Sequence, residues 1–277
     1  MSPSPHDPKE YLRLKRMPHI WCPGCGNGIV LGAFLRSVSM LELDRNNVVV
    51  VAGIGCSSRA AGYIDFHTIH SAHGRAIPFA TGIKMSKPSL KVVVLTGDGD
   101  CMAIGGNHFI HAARRNIDIT VIIFNNFIYG MTSGQASPAT PLNSFATTAV
   151  YGTVEPPFDI CKVAQAAGAT YVARGTSFHA KQLPVLIADA ISNPGFSVVE
   201  VLCGCPTHFG KLNKIASPVE LLQMQRNAGI SVKDASLLTK DQIAGKFLLG
   251  ELHREERPEY TATYSKLFER VYGAKTI

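Results

Sequence analysis

Five short apolar runs, separated by longer stretches with helical periodicity, constrain the fold of this chain most strongly. The runs cover residues 47–53, 90–96, 119–124, 170–173 and 197–202. Their apolar residues do not alternate with polar ones, which is typical of strands buried on both faces of a parallel sheet. The helical pattern between them covers residues 104–115, 158–167 and 183–191. We therefore predict an α/β fold, a doubly wound and mostly parallel sheet with right-handed connections and helices on both faces.

The length of 277 residues allows one large domain or two small ones. We expect an N-terminal extension at residues 1–20, a ligand-binding domain at 21–215 and a C-terminal tail at 216–277 that lies at a subunit interface. The tail is charged, and its periodicity predicts helices over residues 240–252 and 255–266. Every apolar run is far shorter than the ~20 residues of a membrane span. Because no signal-peptide pattern is present either, we expect a cytoplasmic protein with no membrane role.

Charge and cysteine content indicate which ligands this chain could take. The net charge of +7 raises the possibility of nucleic acid, but the basic residues are scattered and no nucleic-acid-binding motif is present, so we expect none. A basic surface also suits an anionic substrate, a cofactor diphosphate or an acidic protein partner. The seven cysteines are odd in number and unevenly spaced. Metal ligation or catalysis is therefore a better interpretation than a disulfide framework.

Glycine, carboxylate and amide residues follow three of the predicted strands, in segments 53–59, 97–100 and 125–132. Ligands of open parallel sheets bind at the carboxyl ends of the strands. Gly97 and Gly99 lack a Cβ, so that turn can approach an anion, and Asp98 between them offers a hard oxygen ligand. Asn126 follows 28 residues later, one strand–helix–strand step away. Each motif alone could be a tight turn or a capping pair, but together they favour a site for magnesium and phosphate.

The Gly97-Asp98-Gly99 turn with Asn126 resembles the motif of enzymes that use thiamine diphosphate. The resemblance implies that Asp98, Asn126 and the main-chain carbonyl of Ile128 bind Mg²⁺, which bridges to the diphosphate. In such enzymes a glutamate on a second, pyrimidine-binding domain activates the cofactor. Since this chain has room for one α/β unit only, we expect another polypeptide to supply that domain.

Cys22-Pro23-Gly24-Cys25 precedes a predicted helix at residues 27–37. A thioredoxin-like redox pair is disfavoured, because no strand precedes this motif. A metal site needs further ligands, and Cys56 follows the first predicted strand while Cys203 and Cys205 follow the last. Four thiolates suit zinc and an iron–sulfur cluster about equally, so the spacing leaves both open.

Five segments, taken together, closely resemble the beta subunit of 2-oxoacid:ferredoxin oxidoreductases over residues 21–209. The segments occupy residues 21–26, 53–58, 73–75, 97–100 and 129–135. The resemblance implies one [4Fe-4S] cluster bound by Cys22, Cys25, Cys56 and Cys205, and it makes residues 21–215 a thiamine diphosphate and iron–sulfur binding domain. Cys205 fits the family pattern better than Cys203. Cys101 and Cys161 are expected to be small buried hydrophobic residues.

The family resemblance also implies a reaction and a set of partners. A 2-oxo acid is oxidatively decarboxylated, coenzyme A takes the acyl group, and electrons pass singly through the cluster to ferredoxin. The partners are a larger alpha subunit, which supplies the pyrimidine-binding domain and the activating glutamate, and an external ferredoxin, because the chain lacks a ferredoxin motif of its own. A non-oxidative thiamine diphosphate-dependent decarboxylase subunit and a zinc-stabilised scaffold are the alternatives.

Two residues are expected to be catalytic. His73 is expected beside the diphosphate, and Arg59 is expected to pair with a second carboxylate on the substrate. That pairing favours 2-oxoglutarate over pyruvate, with a pyruvate-specific or broad-specificity enzyme as the alternative. The residues expected to contact the cofactor are Gly55, Cys56, Ser57, Ser58, His73, Gly74, Gly97, Asp98, Gly99, Asp100, Asn126, Ile128, Gly130, Met131 and Thr132.

Overall fold

The computed structural model describes residues 7–215 and 217–273 and places ten strands in two sheets. The strands are β1 (Val48–Ala52), β2 (His67–His70), β3 (Lys91–Gly97), β4 (Thr120–Asn125), β5 (Ile128–Tyr129), β6 (Gln135–Ala136), β7 (Tyr171–Thr176), β8 (Ser197–Leu202), β9 (Gly229–Ser231) and β10 (Phe247–Arg254). Eight of them form one sheet in the order β2-β1-β3-β4-β8-β7-β10-β9, and β5 and β6 form a separate hairpin. All neighbours in the large sheet are parallel except β7 and β10.

Helices cover both faces of the large sheet, which confirms the predicted doubly wound α/β fold. They are α1 (Asn27–Met40), α2 (Ala76–Ser86), α3 (Gly106–Arg115), α4 (Ile160–Ala166), α5 (Leu183–Ser192), α6 (Pro218–Ala228), α7 (Val232–Ala235) and α8 (Tyr260–Tyr272). One buried core joins α1 and α5 to the sheet and includes Phe34 and Ile187. The other joins α2, α3 and α4 to the opposite face and includes Phe109 and Ile160.

The five predicted strands are β1, β3, β4, β7 and β8. Every residue of β1, β4, β7 and β8 is buried, which explains why their apolar residues do not alternate with polar ones. Because β1, β3, β4 and β8 run parallel, the loops after them meet at one edge of the sheet. The chain thereby brings the segments that follow residues 52, 97, 125 and 202 together.

The edge strand β2 was not predicted, because its sequence, His-Thr-Ile-His, is polar and partly exposed. The helix predicted over residues 240–252 is wrong. Phe247–Arg254 is instead strand β10, which pairs antiparallel with β7, and Gly250 within it has a φ of 114° that no helix accommodates. The helix predicted over 255–266 begins later, at Tyr260, after Pro258 and the capping residue Glu259. Within the described ranges, each helix is too short or too polar to cross a bilayer.

Candidate active site

A cavity of about 150 Å³, here called the cofactor cavity, lies where the loops after β1, β3 and β4 meet. Most of the residues predicted to contact the cofactor line it. They are Gly55, Cys56, Ser57, His73, Gly97, Asp98, Gly99, Asp100, Asn126, Ile128, Gly130, Met131 and Thr132. Ser58, Gly74 and Arg59 do not line it. Ser58 is buried in the short 3-10 helix at Ser57–Gly62, and Gly74 donates its backbone N–H to Asp100 at 2.7 Å.

Asp98 is the buried acid of this cavity, with 2% of its surface exposed. Ser137 donates its hydroxyl to the carboxylate, and no Lys, Arg or His of the described chain forms an ion pair with it. Burial raises the pKa of Asp98 to about 7, and the hydrogen bond from Ser137 opposes this shift. A buried carboxylate without a cationic partner, next to the amide of Asn126, is a donor set that suits a divalent cation.

The turn after β4 holds Asn126 in place. Its side-chain oxygen accepts the backbone N–H of Ile128 at 3.2 Å, and the side-chain oxygen of Asn125 accepts that of Phe127 at 3.0 Å. Phe127 has a φ of +66°, in the left-handed region that costs a non-glycine residue energy. Thr140 stabilises this conformation by donating its hydroxyl to the carbonyl of Phe127 at 2.6 Å.

Asp100 connects three loops in the wall of the cofactor cavity. Its carboxylate accepts the backbone N–H of Ile54 at 3.2 Å and that of Gly74 at 2.7 Å, and the hydroxyl of Thr96 at 2.6 Å. His73 Nδ1 lies 2.5 Å from the same carboxylate. Although Asp100 lines the cavity, these loops already use its oxygen atoms, so we infer that its main role is to fix the loops.

We expect Asp100→Ala to lower the free energy of unfolding by roughly 3 kcal/mol or more, because it leaves two backbone N–H groups without an acceptor. Urea denaturation measures the difference, and Asp241→Ala, at an exposed position, is the matched control. A variant with wild-type stability would contradict the role of Asp100 in fixing the loops.

A second cavity, here called the thiol cavity, has a volume of about 210 Å³ and adjoins the first. Cys22, Cys25, Cys56 and Cys205 all line it. The two cavities share Cys56, Asn126, Gly130 and Met131. A Cβ built on Gly130 would lie 3.5 Å from the sulfur atoms of both Cys56 and Cys205, so this backbone passes directly between the cavities. The volume is several times the ~30 Å³ that a water molecule occupies in the liquid.

Cys205 and Cys203 lie in different surroundings in the structure. Cys205 lies in the wall of the thiol cavity, whereas Cys203 is a 3% exposed residue whose thiol donates to the side-chain oxygen of Asn27 at 3.6 Å. Burial raises the pKa of Cys25 to about 12 and that of Cys56 to about 11. Such thiols lose their protons when a metal compensates the buried negative charge. Cys101 and Cys161 are buried outside the cavity, at 2% and 3% exposure, as expected.

The two predicted catalytic residues lie in different cavities. His73 lines the cofactor cavity, where its ring packs edge-on against Tyr129 at 6.1 Å. Arg59 is exposed and lines the thiol cavity. Sequence reasoning missed Ser137, which lies 39 residues from Asp98 in the chain, since no motif connects the two. It also missed Tyr129, whose hydroxyl donates to the carbonyl of Gly99 at 3.2 Å; its place within the segment 129–135 was the available signal.

Comparison with known proteins places the chain in a family. The family described as "Thiamine pyrophosphate enzyme, C-terminal TPP binding domain" matches residues 46–201. The 2-oxoglutarate synthase subunit KorB of Methanothermobacter marburgensis is 49% identical, over 95% of this chain and 90% of that protein. KorB of Archaeoglobus fulgidus is 57% identical, over 72% of this chain and 74% of that protein.

A solved structure agrees with these relatives. It is described as 2-oxoglutarate:ferredoxin oxidoreductase from Magnetococcus marinus with 2-oxoglutarate, coenzyme A and succinyl-CoA bound. One of its chains has a TM-score of 0.88 and 32% identity, and the match covers 100% of this chain and 94% of that one. The predicted family resemblance is therefore confirmed. The chain belongs to the thiamine pyrophosphate enzymes and, within them, to the KorB or beta-subunit family of 2-oxoacid:ferredoxin oxidoreductases.

Proposed function

We propose that this chain is the thiamine diphosphate- and cluster-binding subunit of a 2-oxoglutarate:ferredoxin oxidoreductase. The reaction consumes one 2-oxo acid anion, one coenzyme A thiol and two oxidised one-electron ferredoxins. It produces acyl-CoA, CO₂, one proton and two reduced ferredoxins. The observation that carries the proposal is the shared wall of the two cavities, formed by Cys56, Asn126, Gly130 and Met131. A site for decarboxylation and a site for one-electron acceptance then lie side by side.

The residues of the cofactor cavity fit a magnesium diphosphate. Asp98, the side-chain oxygen of Asn126 and the carbonyl of Ile128 would hold Mg²⁺, which suits their oxygen donors. Gly55 has a φ of +116°, and a Cβ there would meet no atom within 4 Å, so its backbone borders open space at the cavity. Nδ1 of His73 donates to the carboxylate of Asp100, which fixes the ring and leaves its other nitrogen available to a ligand in the cavity.

The thiol cavity fits a [4Fe-4S] cluster held by Cys22, Cys25, Cys56 and Cys205. Trp21 donates its indole N–H to the carbonyl of Cys56 at 2.7 Å, which fixes the position of this ligand. When bound, thiamine diphosphate supplies a carbon nucleophile for decarboxylation and the cluster supplies a one-electron acceptor. The protein contributes the fixed cysteines, the buried anion of Asp98 and the short path between the cavities.

An anaerobic visible spectrum of the co-purified complex tests this function. We expect the spectrum to show a broad brown band. This band should bleach when 2-oxoglutarate and coenzyme A are added, because reduction of the cluster requires the whole reaction. A non-oxidative decarboxylase subunit or a zinc-stabilised scaffold would give no such band. Colourless protein containing stoichiometric zinc would contradict the proposal. A cytoplasmic location, where thiols stay reduced, is part of the same proposal.

The cofactor cavity of about 150 Å³ is about half the size of the smallest typical ligand pockets. This supports a larger alpha subunit that supplies the pyrimidine-binding domain and the activating glutamate. We expect the isolated 277-residue chain to oxidise 2-oxoglutarate at less than a hundredth of the rate of the complex, since removing one essential catalytic group commonly costs ~10²-fold or more. Assays of the chain alone and after co-expression with the partner measure the ratio, and comparable rates would refute the need for a partner.

Arg59 is the cation that we propose for the second carboxylate of 2-oxoglutarate. It is exposed in the thiol cavity and forms no ion pair with another described residue. We expect Arg59→Leu to lower the preference for 2-oxoglutarate over pyruvate by roughly tenfold, because a charge-assisted hydrogen bond contributes ~1.5 to 3 kcal/mol. Competition kinetics on the complex measure the ratio, with Arg36→Leu on α1 as the control. A wild-type enzyme that prefers pyruvate, or an unchanged ratio, would count against Arg59.

A further inference from the structure

The chain segments that carry the cysteines of the thiol cavity are strongly cationic. Segments 13–25, 54–64 and 203–219 contain no Asp or Glu. Their Lys and Arg residues are Arg13, Lys15, Arg16, Arg59, Lys211 and Lys214. We call this set the cationic rim. Since the whole chain carries an excess of seven positive charges, these short segments hold most of its net charge.

Most members of the cationic rim are exposed and free of ion pairs within the described part of the chain. Lys15, Arg16, Arg59, Lys211 and Lys214 are all exposed. Only Arg13 has a carboxylate partner there, Asp65 at 3.7 Å. One further carboxylate, Glu220, borders the cationic segment 203–219 and lies in the first turn of α6. Pro218 of the same helix lies against Gly24. A positive field therefore extends from this surface into solvent.

The cationic rim lies close enough to the thiol cavity for one docked protein to cover both. Cys22 is exposed, and Ile20, Arg59 and His208 line the cavity. Arg16 is four residues before Ile20, so it lies at most ~14 Å away, and Lys211 follows His208 by three residues. Redox encounters bury less than ~1,200 Å² in total, or ~600 Å² on each partner, which corresponds to a disc of ~14 Å radius.

We propose that the cationic rim docks an acidic one-electron carrier protein of the ferredoxin type over the thiol cavity. This inference rests on the proposed function, which requires two single-electron transfers per 2-oxo acid and hence two short encounters. Complementary charge accelerates such encounters without making them tight, because it raises the association rate more than the affinity. No acidic residue in these segments would repel the carrier, and Cys22, which lines the cavity, is itself exposed to solvent.

Charge-reversal pairs on the holoenzyme complex test the docking surface. Lys15→Glu with Arg16→Glu forms one pair, and Lys211→Glu with Lys214→Glu forms the other; none of these residues lines either cavity. The matched control reverses Lys87 and Arg114, which are exposed at the carboxyl ends of α2 and α3, where the chain turns towards the start of β3 and β4 and away from the cavities. The probe is an acidic low-potential ferredoxin, whose binding to the immobilised complex is measured by interferometry at low and high salt. Reduction of methyl viologen, a small acceptor that needs no docking, is measured alongside.

We expect each rim pair to weaken ferredoxin binding at least tenfold at low salt, with the difference vanishing at high salt. Methyl viologen reduction stays at the wild-type rate, and the control pair binds like wild type. Equal binding by rim and control pairs would overturn the docking surface, as would loss of the alpha subunit from the rim variants, because that subunit would then cover the rim. Absence of viologen reduction in the wild-type complex would contradict the proposed function instead, while the binding measurement still decides the docking surface.

Discussion

Alanine in place of Cys22, Cys25, Cys56 or Cys205 should remove the iron and the visible absorption band from the protein. These four residues line one cavity, and a [4Fe-4S] cluster is held by four thiolates. We expect each variant to fall from about four iron atoms per chain to below one, because a cluster missing a ligand is open to solvent and oxidant. Iron analysis and the visible spectrum of anaerobically purified protein measure both losses.

Cys203→Ala is the matched control for Cys205→Ala. The two cysteines are separated by Gly204 alone, but the thiol of Cys203 donates to Asn27 and lies outside the thiol cavity. We expect Cys203→Ala to keep its iron, as should Cys101→Ala and Cys161→Ala. If Cys203→Ala lost the cluster and Cys205→Ala kept it, the fourth ligand would be Cys203 and not Cys205. Full iron content in all four cavity variants would contradict the cluster site itself.

The sequence alone was sufficient to predict the central strands of the sheet, because they are buried on both faces. Val48–Ala52 and Thr120–Asn125 contain unbroken apolar runs, and such runs occur where helices cover the sheet on each side. The same reasoning failed at the edges. Strand β2 is polar, and the sequence of β10, which pairs with β7, also fits a helix. Only tertiary pairing decides that these two segments form strands.

The candidate site was predictable where its residues follow directly after strands, as Asp98 and Asn126 do. Contacts between distant segments were not predictable, because local pattern carries no information about them. Ser137, which follows the short strand β6, reaches Asp98 over 39 residues, and Gly74 reaches Asp100 over 26 residues. The different surroundings of Cys203 and Cys205 were not predictable for the same reason, since they depend on the position of Asn27 in α1.

We expect Asp98→Asn to abolish detectable thiamine diphosphate binding and at the same time to stabilise the metal-free chain at high pH. The first effect follows because the amide cannot supply the anionic ligand that Mg²⁺ takes from the carboxylate. The second follows from burial, which raises the pKa of Asp98 to about 7 from its ordinary value near 4. Because the folded state holds this proton more tightly, the contribution of Asp98 to stability is fully present below pH ~4 and is lost as the pH rises through ~7.

The two effects of Asp98→Asn have opposite signs, which distinguishes a ligand from a structural residue. Calorimetric titration of the complex with thiamine diphosphate and Mg²⁺ measures the binding. Urea denaturation with a chelator, between pH 4 and 8, measures the stability of the chain. At pH 8 the variant should be more stable than wild type, by up to about 4 kcal/mol for a shift of about three pKa units, and the gap should close towards pH 4. Asp241→Asn, at an exposed position, should change neither measurement. A residue that merely supported the fold would destabilise the chain when replaced, so lower stability at pH 8 together with retained cofactor binding would exclude Asp98 as the magnesium ligand.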